Sequence, residues 1–289
     1  MATIAPVKTR AGDPHAADAL LALPPRSGAQ LPVPPAGQGP ADALLAAAAA
    51  GLQRGLGSVR RGAAAAAFMS PRDIALFVRS ARTDAAIRRA RAAGGDPAAF
   101  DAAYATGDPW ASADPRYLYQ RRKYDVLVGL LPPGRRFGRV LDVGAGLGLL
   151  ARRIAARADT VTGLDISQEA VSQAAALHAD TPNLRFEQGD LRSLPAALDG
   201  SFDLVVLADT LYYLPQPLSD ATLDDLALRV ASLLAPGGLC LLANHFFFAA
   251  DPDSRTSRRI HRAFARCLDQ VSEHRRPFYL VSVLTTRGT

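Results

Sequence analysis

Along residues 117–285, short apolar runs alternate with longer segments whose apolar residues recur at helical spacing. This alternation is typical of a parallel sheet with helices on both faces. The strand runs VVLA and LCLLA are apolar at every position, as expected when helices cover both sides of a sheet. The pattern predicts strands at 139–143, 160–164, 184–188, 202–208 and 238–245, and helices at 117–131, 147–157, 168–179, 220–234 and 256–267.

Two further apolar runs, near 268–273 and 278–285, lie too close together for a helical crossover. They therefore predict an antiparallel pair of strands. The fold class that follows is α/β and Rossmann-like, with a mostly parallel seven-stranded sheet that ends in an antiparallel C-terminal hairpin.

The first third of the chain has a different character and predicts an Ala/Pro-rich N-terminal extension. Residues 1–40 contain eight prolines and no aromatic residue, which predicts a disordered or linker-like segment. Residues 41–95 are rich in Ala and Arg, and Ser70 followed by Pro71 is a helix start signal. This segment fits a helical appendage, an oligomerisation element or a tail. The predicted domain occupies 96–289.

The net charge of +6 is unevenly distributed along the chain. Residues 1–95 carry 12 Lys and Arg against 5 Asp, whereas the remainder carries 21 basic against 22 acidic residues. The predicted domain has no obvious basic patch with interleaved aromatic residues, so we expect no nucleic-acid partner.

Apolar content gives no sign of a membrane protein, because Arg, Asp or Pro interrupts every run before the roughly 20 residues that span a bilayer. The N-terminus lacks the pattern of a secretory signal. Cys240 and Cys267 have no metal-ligand spacing, and we expect both to be buried apolar residues without a metal. Together these features predict a cytoplasmic protein.

The segment from Val140 to Leu150 is the strongest local feature, because an apolar strand leads into Gly144-x-Gly146-x-Gly148 and a helix follows. Glycines in such a loop permit backbone angles closed to other residues and let a ligand approach the main chain. Asp142 precedes the first glycine by two residues. Its carboxylate would repel a pyrophosphate and attract the cationic groups of S-adenosylmethionine.

Two further acidic residues close predicted strands. Asp165 follows the glycine loop by about twenty residues, where a carboxylate can accept both ribose hydroxyls. A competing interpretation makes it part of a helix start, with Ser167 as the N-cap. Asp190 ends the third strand and is predicted to contact an adenine amino group, with Leu191 against the ring; a plain Gly-Asp turn is the alternative.

The motifs VLDVGAGLG, GLDIS, GDL, FDLVVLADTLYYL and LAPGG resemble, in order and spacing, those of class I S-adenosylmethionine-dependent methyltransferases. The DPW at 108–110, the helix start YQRRKY and LADTLYYL resemble the nodulation protein S family, which N-methylates an amino sugar of a chitooligosaccharide. This resemblance covers about 105–289 and implies a bacterial methyltransferase with the methyltransferase variant of the Rossmann-like fold. That family is expected to carry Glu where this chain has Gln120.

The predicted cofactor is S-adenosylmethionine, and its predicted site consists of Asp142, Gly144, Ala145, Gly146, Gly148, Asp165, Ile166, Asp190, Leu191, Ala208 and Arg122. Arg122 is included because a guanidinium can bind the cofactor carboxylate with two hydrogen bonds. The competing interpretation is that 117–131 is an ordinary helix covering the sheet, with the charge of Arg122 in solvent.

Candidate catalytic residues lie at the ends of the fourth and fifth strands, where ligands bind in a doubly wound sheet. Asp209 can orient an amine, and Tyr212 can shape the pocket. His245 can act as a general base, or it can be simply a polar residue at the end of a strand. Packing between sheet and helix is the alternative for the tyrosine. His178 and His261 are interpreted as surface residues. The Arg-rich stretch 255–266 is interpreted as a solvated helix face, with an anion site as the alternative.

These observations predict methyl transfer to a small-molecule acceptor, most simply an amine such as an amino sugar. Three alternatives stay open: O-methylation of a small molecule, a non-catalytic cofactor-binding or assembly protein, and a nicotinamide-dependent oxidoreductase. The glycine spacing and Asp142 argue against the last of these.

Overall fold

The computed structural model describes residues 72–214, 218–246, 251–276 and 278–288. The segment predicted to be disordered, 1–40, and the predicted extension up to residue 71 lie outside this part of the chain. Within it, no helix combines the length and the apolar content that crossing a bilayer requires.

Seven strands form a single sheet in the spatial order β3-β2-β1-β4-β5-β7-β6. Strands β1 to β5 run parallel, and β7 is antiparallel to both β5 and β6. The strands are β1 Phe137–Val143, β2 Ala158–Asp165, β3 Leu184–Gln188, β4 Phe202–Ala208, β5 Leu234–His245, β6 Asp269–Arg276 and β7 Tyr279–Thr285. The predicted Rossmann-like α/β fold with its antiparallel C-terminal hairpin is confirmed.

Seven helices accompany the sheet in the described part of the chain. They are α1 Asp73–Gly94, α2 Asp96–Tyr104, α3 Tyr119–Gly129, α4 Leu149–Ala155, α5 Gln168–Leu177, α6 Asp220–Leu233 and α7 Pro252–Cys267. Helix α7 begins four residues before the predicted start. The reason is local, because the Asp251 side chain accepts a hydrogen bond from the Ser254 N–H and Pro252 suits the first turn.

The hydrophobic core lies on both faces of the sheet, because successive strand residues point to opposite sides. On one face, Leu141 and Val205 pack with α6 and α7. On the other face, Val140 and Leu204 pack with α3 and α4. The two-sided core explains why the strands read as continuous apolar runs.

Helix α1 is attached to the domain both through the buried apolar side chains of Leu76 and Ile87 and through polar bonds. Buried Asp73 accepts hydrogen bonds from the backbone N–H groups of Leu118 and Tyr119, at 3.0 and 3.2 Å, and so caps the start of α3. Further along α1, Thr83 donates to the Pro109 carbonyl at 2.8 Å. These bonds hold α1 and the loop before α3 together beside the carboxyl ends of the strands.

Candidate functional site

A cleft of about 1100 Å³ opens at the carboxyl ends of the parallel strands. Residues that follow β1, β2, β3 and β4 line one side, and residues of α1, α2 and α3 line the other. Ligands of doubly wound sheets bind at this edge. The cleft is therefore the candidate functional site.

The glycine loop after β1 forms part of the cleft wall. Gly144 and Gly146 have φ of 69° and 53°, in the left-handed region that favours glycine. A Cβ on Gly146 would stand 2.6 Å from the Tyr104 hydroxyl, and a Cβ on Gly144 would collide with Thr210. Because the loop backbone is bare on the cleft side, a nucleoside ligand can approach it closely.

Gly148 has φ of 70° but does not line the cleft. A Cβ there would collide with the Phe186 ring and stand 3.1 Å from the His178 ring. The structure therefore assigns this glycine to packing beneath the loop, whereas we had expected it to bind the cofactor directly.

Asp165 lines the cleft and also ties β2 to the glycine loop. One carboxylate oxygen accepts a hydrogen bond from the Gly146 N–H at 2.9 Å, and the other accepts from the Ser167 N–H at 3.0 Å. Burial raises its pKa, while these two N–H donors act in the opposite direction. Ser167 is the N-cap of α5, as the helix-start interpretation of this segment predicts. Asp165 therefore supports the start of this helix and also lines the cleft.

Asp142 does not line the cleft, which differs from its predicted direct role. It is 3 % exposed and lies behind the loop, where its carboxylate accepts a hydrogen bond from the Ala151 backbone. Burial, together with the nearby charge of Asp165, raises the pKa of Asp142 to about 7. This carboxylate can act on a ligand only through its charge and through the loop it supports.

Arg122 does not line the cleft either, whereas the next residue, Lys123, does. Successive residues of a helix are rotated by about 100°, so the side chains of Arg122 and Lys123 point in different directions. Lys123 is 2 % exposed and forms an ion pair with Asp209. Helix α3 therefore contributes to the cleft a lysine that is already paired, and not the arginine beside it.

Asp209 follows β4 and is held in an unusual conformation. Its φ is 58°, its N–H donates to the Ala243 carbonyl at 2.8 Å, and Lys123 pairs with carboxylate oxygen Oδ2. The other oxygen, Oδ1, is buried without a hydrogen-bond partner among the described residues. A non-glycine residue at positive φ costs roughly 1–3 kcal/mol, and such residues cluster at functional sites.

Tyr212 and His245 lie together in the cleft, with ring centres 4.1 Å apart. His245 Nε2 stands 3.7 Å from an Asp253 carboxylate oxygen, and the nearby imidazole holds the pKa of Asp253 below its ordinary value. Burial raises the pKa of Tyr212 well above its ordinary value, so its hydroxyl stays protonated at neutral pH. Of this pair, only the imidazole can accept a proton.

Aromatic side chains cover the cleft on the side of α1 and α2. Asp84 of α1 accepts hydrogen bonds from the Trp110 indole at 3.0 Å and from the Tyr213 hydroxyl at 2.7 Å. Phe100 of α2 packs edge-on to Tyr213, with ring centres 5.5 Å apart. One carboxylate therefore fixes two rings from separate parts of the chain.

The remaining predicted cofactor residues Ala145, Ile166, Asp190, Leu191 and Ala208 all line the cleft.

Several cleft residues escaped the sequence interpretation, namely Asp84, Phe100, Tyr104 and Asp253. The aromatic pair at positions 100 and 104 is one helical turn apart, which was an available signal. The prediction that His178 and His261 are surface residues was wrong, because their exposed fractions are only 8 % and 3 %. His178 bonds the Leu147 carbonyl beneath the glycine loop at 2.9 Å.

The sheet order and the glycine loop define the class, a Rossmann-like fold of the class I methyltransferase type. Residues 140–238 match the family described as a methyltransferase domain. The resemblance to class I methyltransferases is thereby confirmed.

Two relatives and one solved structure illustrate these similarities. The chain is 39 % identical over 102 residues to the ubiquinone biosynthesis O-methyltransferase of Albidiferax ferrireducens, covering 35 % of this chain and 38 % of the relative. It is 38 % identical over 120 residues to the trans-aconitate 2-methyltransferase of Deinococcus radiodurans, covering 40 % and 42 %. The chain thus spans less than half the length of the curated relatives that it matches.

The structure resembles the N-methyltransferase NodS from Bradyrhizobium japonicum, solved in complex with S-adenosyl-L-homocysteine. The TM-score is 0.56 at 19 % identity, over 66 % of this chain and 98 % of that chain. At this identity the similarity shows a common fold.

Proposed function

We propose that this protein is an S-adenosylmethionine-dependent methyltransferase whose acceptor is an amine on a small molecule. The cofactor assignment is supported by the bare glycine loop, by Asp165 and Asp190 at the strand ends, and by the methyltransferase relatives. When bound, S-adenosylmethionine supplies a methyl group that is already activated on a sulfonium.

The observation that carries the amine assignment is the carboxylate of Asp209. Its oxygen Oδ2 forms an ion pair with Lys123, and its oxygen Oδ1 is buried without a partner among the described residues. A charged acceptor atom in this position suits the N–H groups of an amine. Asp209 would then help to orient the nitrogen lone pair towards the methyl group.

The charge of the cleft supports the same acceptor. Among the described residues, eight aspartates and one glutamate line it, against one lysine and one arginine. This excess favours a cationic acceptor over a carboxylate. An ammonium must lose a proton before its nitrogen can attack, and His245, oriented by Asp253, is placed to take that proton.

A labelled-methyl assay tests the proposal. The full chain is incubated with methyl-labelled S-adenosylmethionine and matched pairs of amines and alcohols, including amino sugars and the parent sugars. We expect labelled amine products. Transfer to the alcohol alone, or to no member of the panel, would contradict the amine assignment.

O-methylation is the second candidate, favoured by the His245–Asp253 pair and by the names of the curated relatives. The variant His245→Ala separates the two reactions. With an amine acceptor, raising the pH above the amine pKa should restore the rate, because the free amine needs no base. With an aliphatic hydroxyl acceptor, the rate should stay low over the same pH range.

A further inference from the structure

Helix α7 presents arginines to two different environments. Arg259 bonds Asp220 of α6 at 2.7 Å, and Arg266 bonds Asp224 of the same helix. These two arginines have acidic partners and belong to the contact between α6 and α7.

The other face of α7 borders a cavity of about 300 Å³ next to β6 and β7. Arg258 and Arg262 of α7 and Arg275 of β6 line it, together with a single acidic residue, Glu273. Arg262 and Arg275 form no ion pair with any described residue. The cavity therefore has an excess of positive charge.

Two of these arginines pack on the same aromatic ring. The guanidinium carbons of Arg258 and Arg275 lie 5.3 and 4.7 Å from the centre of the same phenyl ring, that of Phe246. Phe246 is 3 % exposed, so this ring is a fixed support. An anion in this cavity would offset the positive charge of Arg262 and Arg275.

His261 adds a buried polar atom to the same cavity. Its side chain is almost completely buried, and Nδ1 lies 2.8 Å from the Ser282 hydroxyl oxygen. That hydroxyl donates to Glu273, at 3.5 Å, so Ser282 accepts from the Nδ1–H of His261. Burial lowers the pKa of His261 to about 3, which keeps the ring neutral.

This arrangement leaves His261 Nε2 as a hydrogen-bond acceptor. It is buried and has no partner among the described residues. A ligand that satisfies the whole cavity must therefore offer negative oxygens to the guanidinium groups and one O–H to the imidazole. A partly protonated phosphate group has both, whereas a sulfate at neutral pH has no O–H.

We infer that the cavity between α7, β6 and β7 is an anion site for a partly protonated phosphate group, either free phosphate or a phosphate monoester. Arg258, Arg262 and Arg275 contact the charged oxygens, and His261 accepts a hydrogen bond from the P–OH group. This assigns the anion alternative to Arg258 and Arg262 of the Arg-rich stretch, while Arg259 and Arg266 contact α6. The inference does not rest on the proposed methyl transfer.

Calorimetric titration of inorganic phosphate into the full chain tests the inference, at pH 6.5 in a phosphate-free buffer of constant ionic strength. We expect saturable binding that is weakened at least about tenfold in Arg262→Ala and in Arg275→Ala, because each variant removes a charged hydrogen-bond donor. The matched control is Arg266→Ala, one turn further along α7 and paired with Asp224, which should retain the wild-type affinity.

Sulfate and a monoester complete the experiment. Sulfate should bind the wild-type protein about tenfold more weakly than phosphate, and His261→Phe should narrow that difference. Glycerol phosphate distinguishes free phosphate from a phosphate monoester as the ligand. If glycerol phosphate binds more tightly than inorganic phosphate, the ligand is a monoester. The inference is overturned if phosphate does not bind saturably, if Arg266→Ala weakens binding as much as Arg262→Ala, or if sulfate binds wild type as tightly as phosphate.

Discussion

At the scale of single residues, the proposed chemistry depends on the pair formed by Asp209 and Lys123. The lysine is buried, so an isolated charge there would be costly. The aspartate is held at positive φ, a conformation that Asn also tolerates. Charge can therefore be removed at position 209 with little change of the backbone.

Asp209→Asn should lower kcat by about 10- to 100-fold, because a hydrogen bond to a charged group contributes roughly 1.5–3 kcal/mol. Affinity for S-adenosylhomocysteine should stay unchanged. The free energy of unfolding should fall by about 3–5 kcal/mol, since Lys123 is left buried without its partner. Steady-state kinetics, calorimetry and urea denaturation measure the three quantities.

The double variant Asp209→Asn/Lys123→Met is the control for stability. It removes both charges, so much of the lost stability should return while kcat stays low. A double variant that regains the wild-type rate would show that Asp209 serves only to neutralise the lysine.

Asp142 makes a second prediction at this scale, from its pKa of about 7. Below that pH the carboxyl is neutral, and above it the charge attracts a sulfonium. The affinity ratio of S-adenosylmethionine to S-adenosylhomocysteine should therefore rise between pH 6 and pH 8, by roughly fivefold for about 1 kcal/mol of attraction. Both nucleosides carry the same amino group, so its attraction to Asp142 does not change this ratio.

In Asp142→Asn the same ratio should be flat with pH. A ratio that rises equally in this variant would assign the titration to another group. Calorimetric titration of both nucleosides at several pH values makes the comparison.

At the scale of elements, the sequence predicts the sheet well because buried parallel strands carry a strong apolar signal. Strands β3 and β4 begin and end at the predicted residues. Helix α1 is harder to interpret, since Ile74 and Val78 are exposed while Asp73 and Asp84 attach the helix through hydrogen bonds. Long-range polar contacts leave no periodic pattern in a sequence, so the cleft wall formed by α1 could not be predicted.

Asp84→Ala tests the role of α1 in the cleft. It removes the acceptor for Trp110 and Tyr213, so the two rings should lose their fixed positions. We expect a higher KM for the acceptor and a loss of roughly 1–3 kcal/mol in unfolding free energy, because two partly buried donors lose their shared acceptor. Steady-state kinetics with an acceptor that the labelled-methyl assay has identified measures the KM, and urea denaturation measures the stability.

Arg82→Ala, at an exposed position of the same helix, is the matched control. It should change neither the KM for the acceptor nor the stability. Equal effects of the two variants would indicate a general loss of helix α1 and contradict a specific role for Asp84.

At the scale of the whole molecule, the sheet brings the ends of β1, β2, β3 and β4 to one edge, and α1 and α2 close the cleft over that edge. Most of the residues predicted for the cofactor line the cleft, because they are close together in sequence and follow strands. The residues proposed to face the acceptor are harder to predict together, because Asp84, Lys123, Asp209 and Asp253 come from four distant segments. Their proximity depends on the complete fold.

The central claim is that the bare loop at this edge binds S-adenosylmethionine, and calorimetric titration of S-adenosylhomocysteine tests it most directly. Wild type should bind one equivalent, with no comparable binding of NAD. Gly146→Ala should lose at least about tenfold in affinity, as its Cβ meets the Tyr104 hydroxyl. Gly134→Ala, at φ of 71° with open space around its Cβ, carries similar backbone strain and should bind normally. Absence of saturable binding, preference for NAD, or equal losses in the two variants would contradict the account.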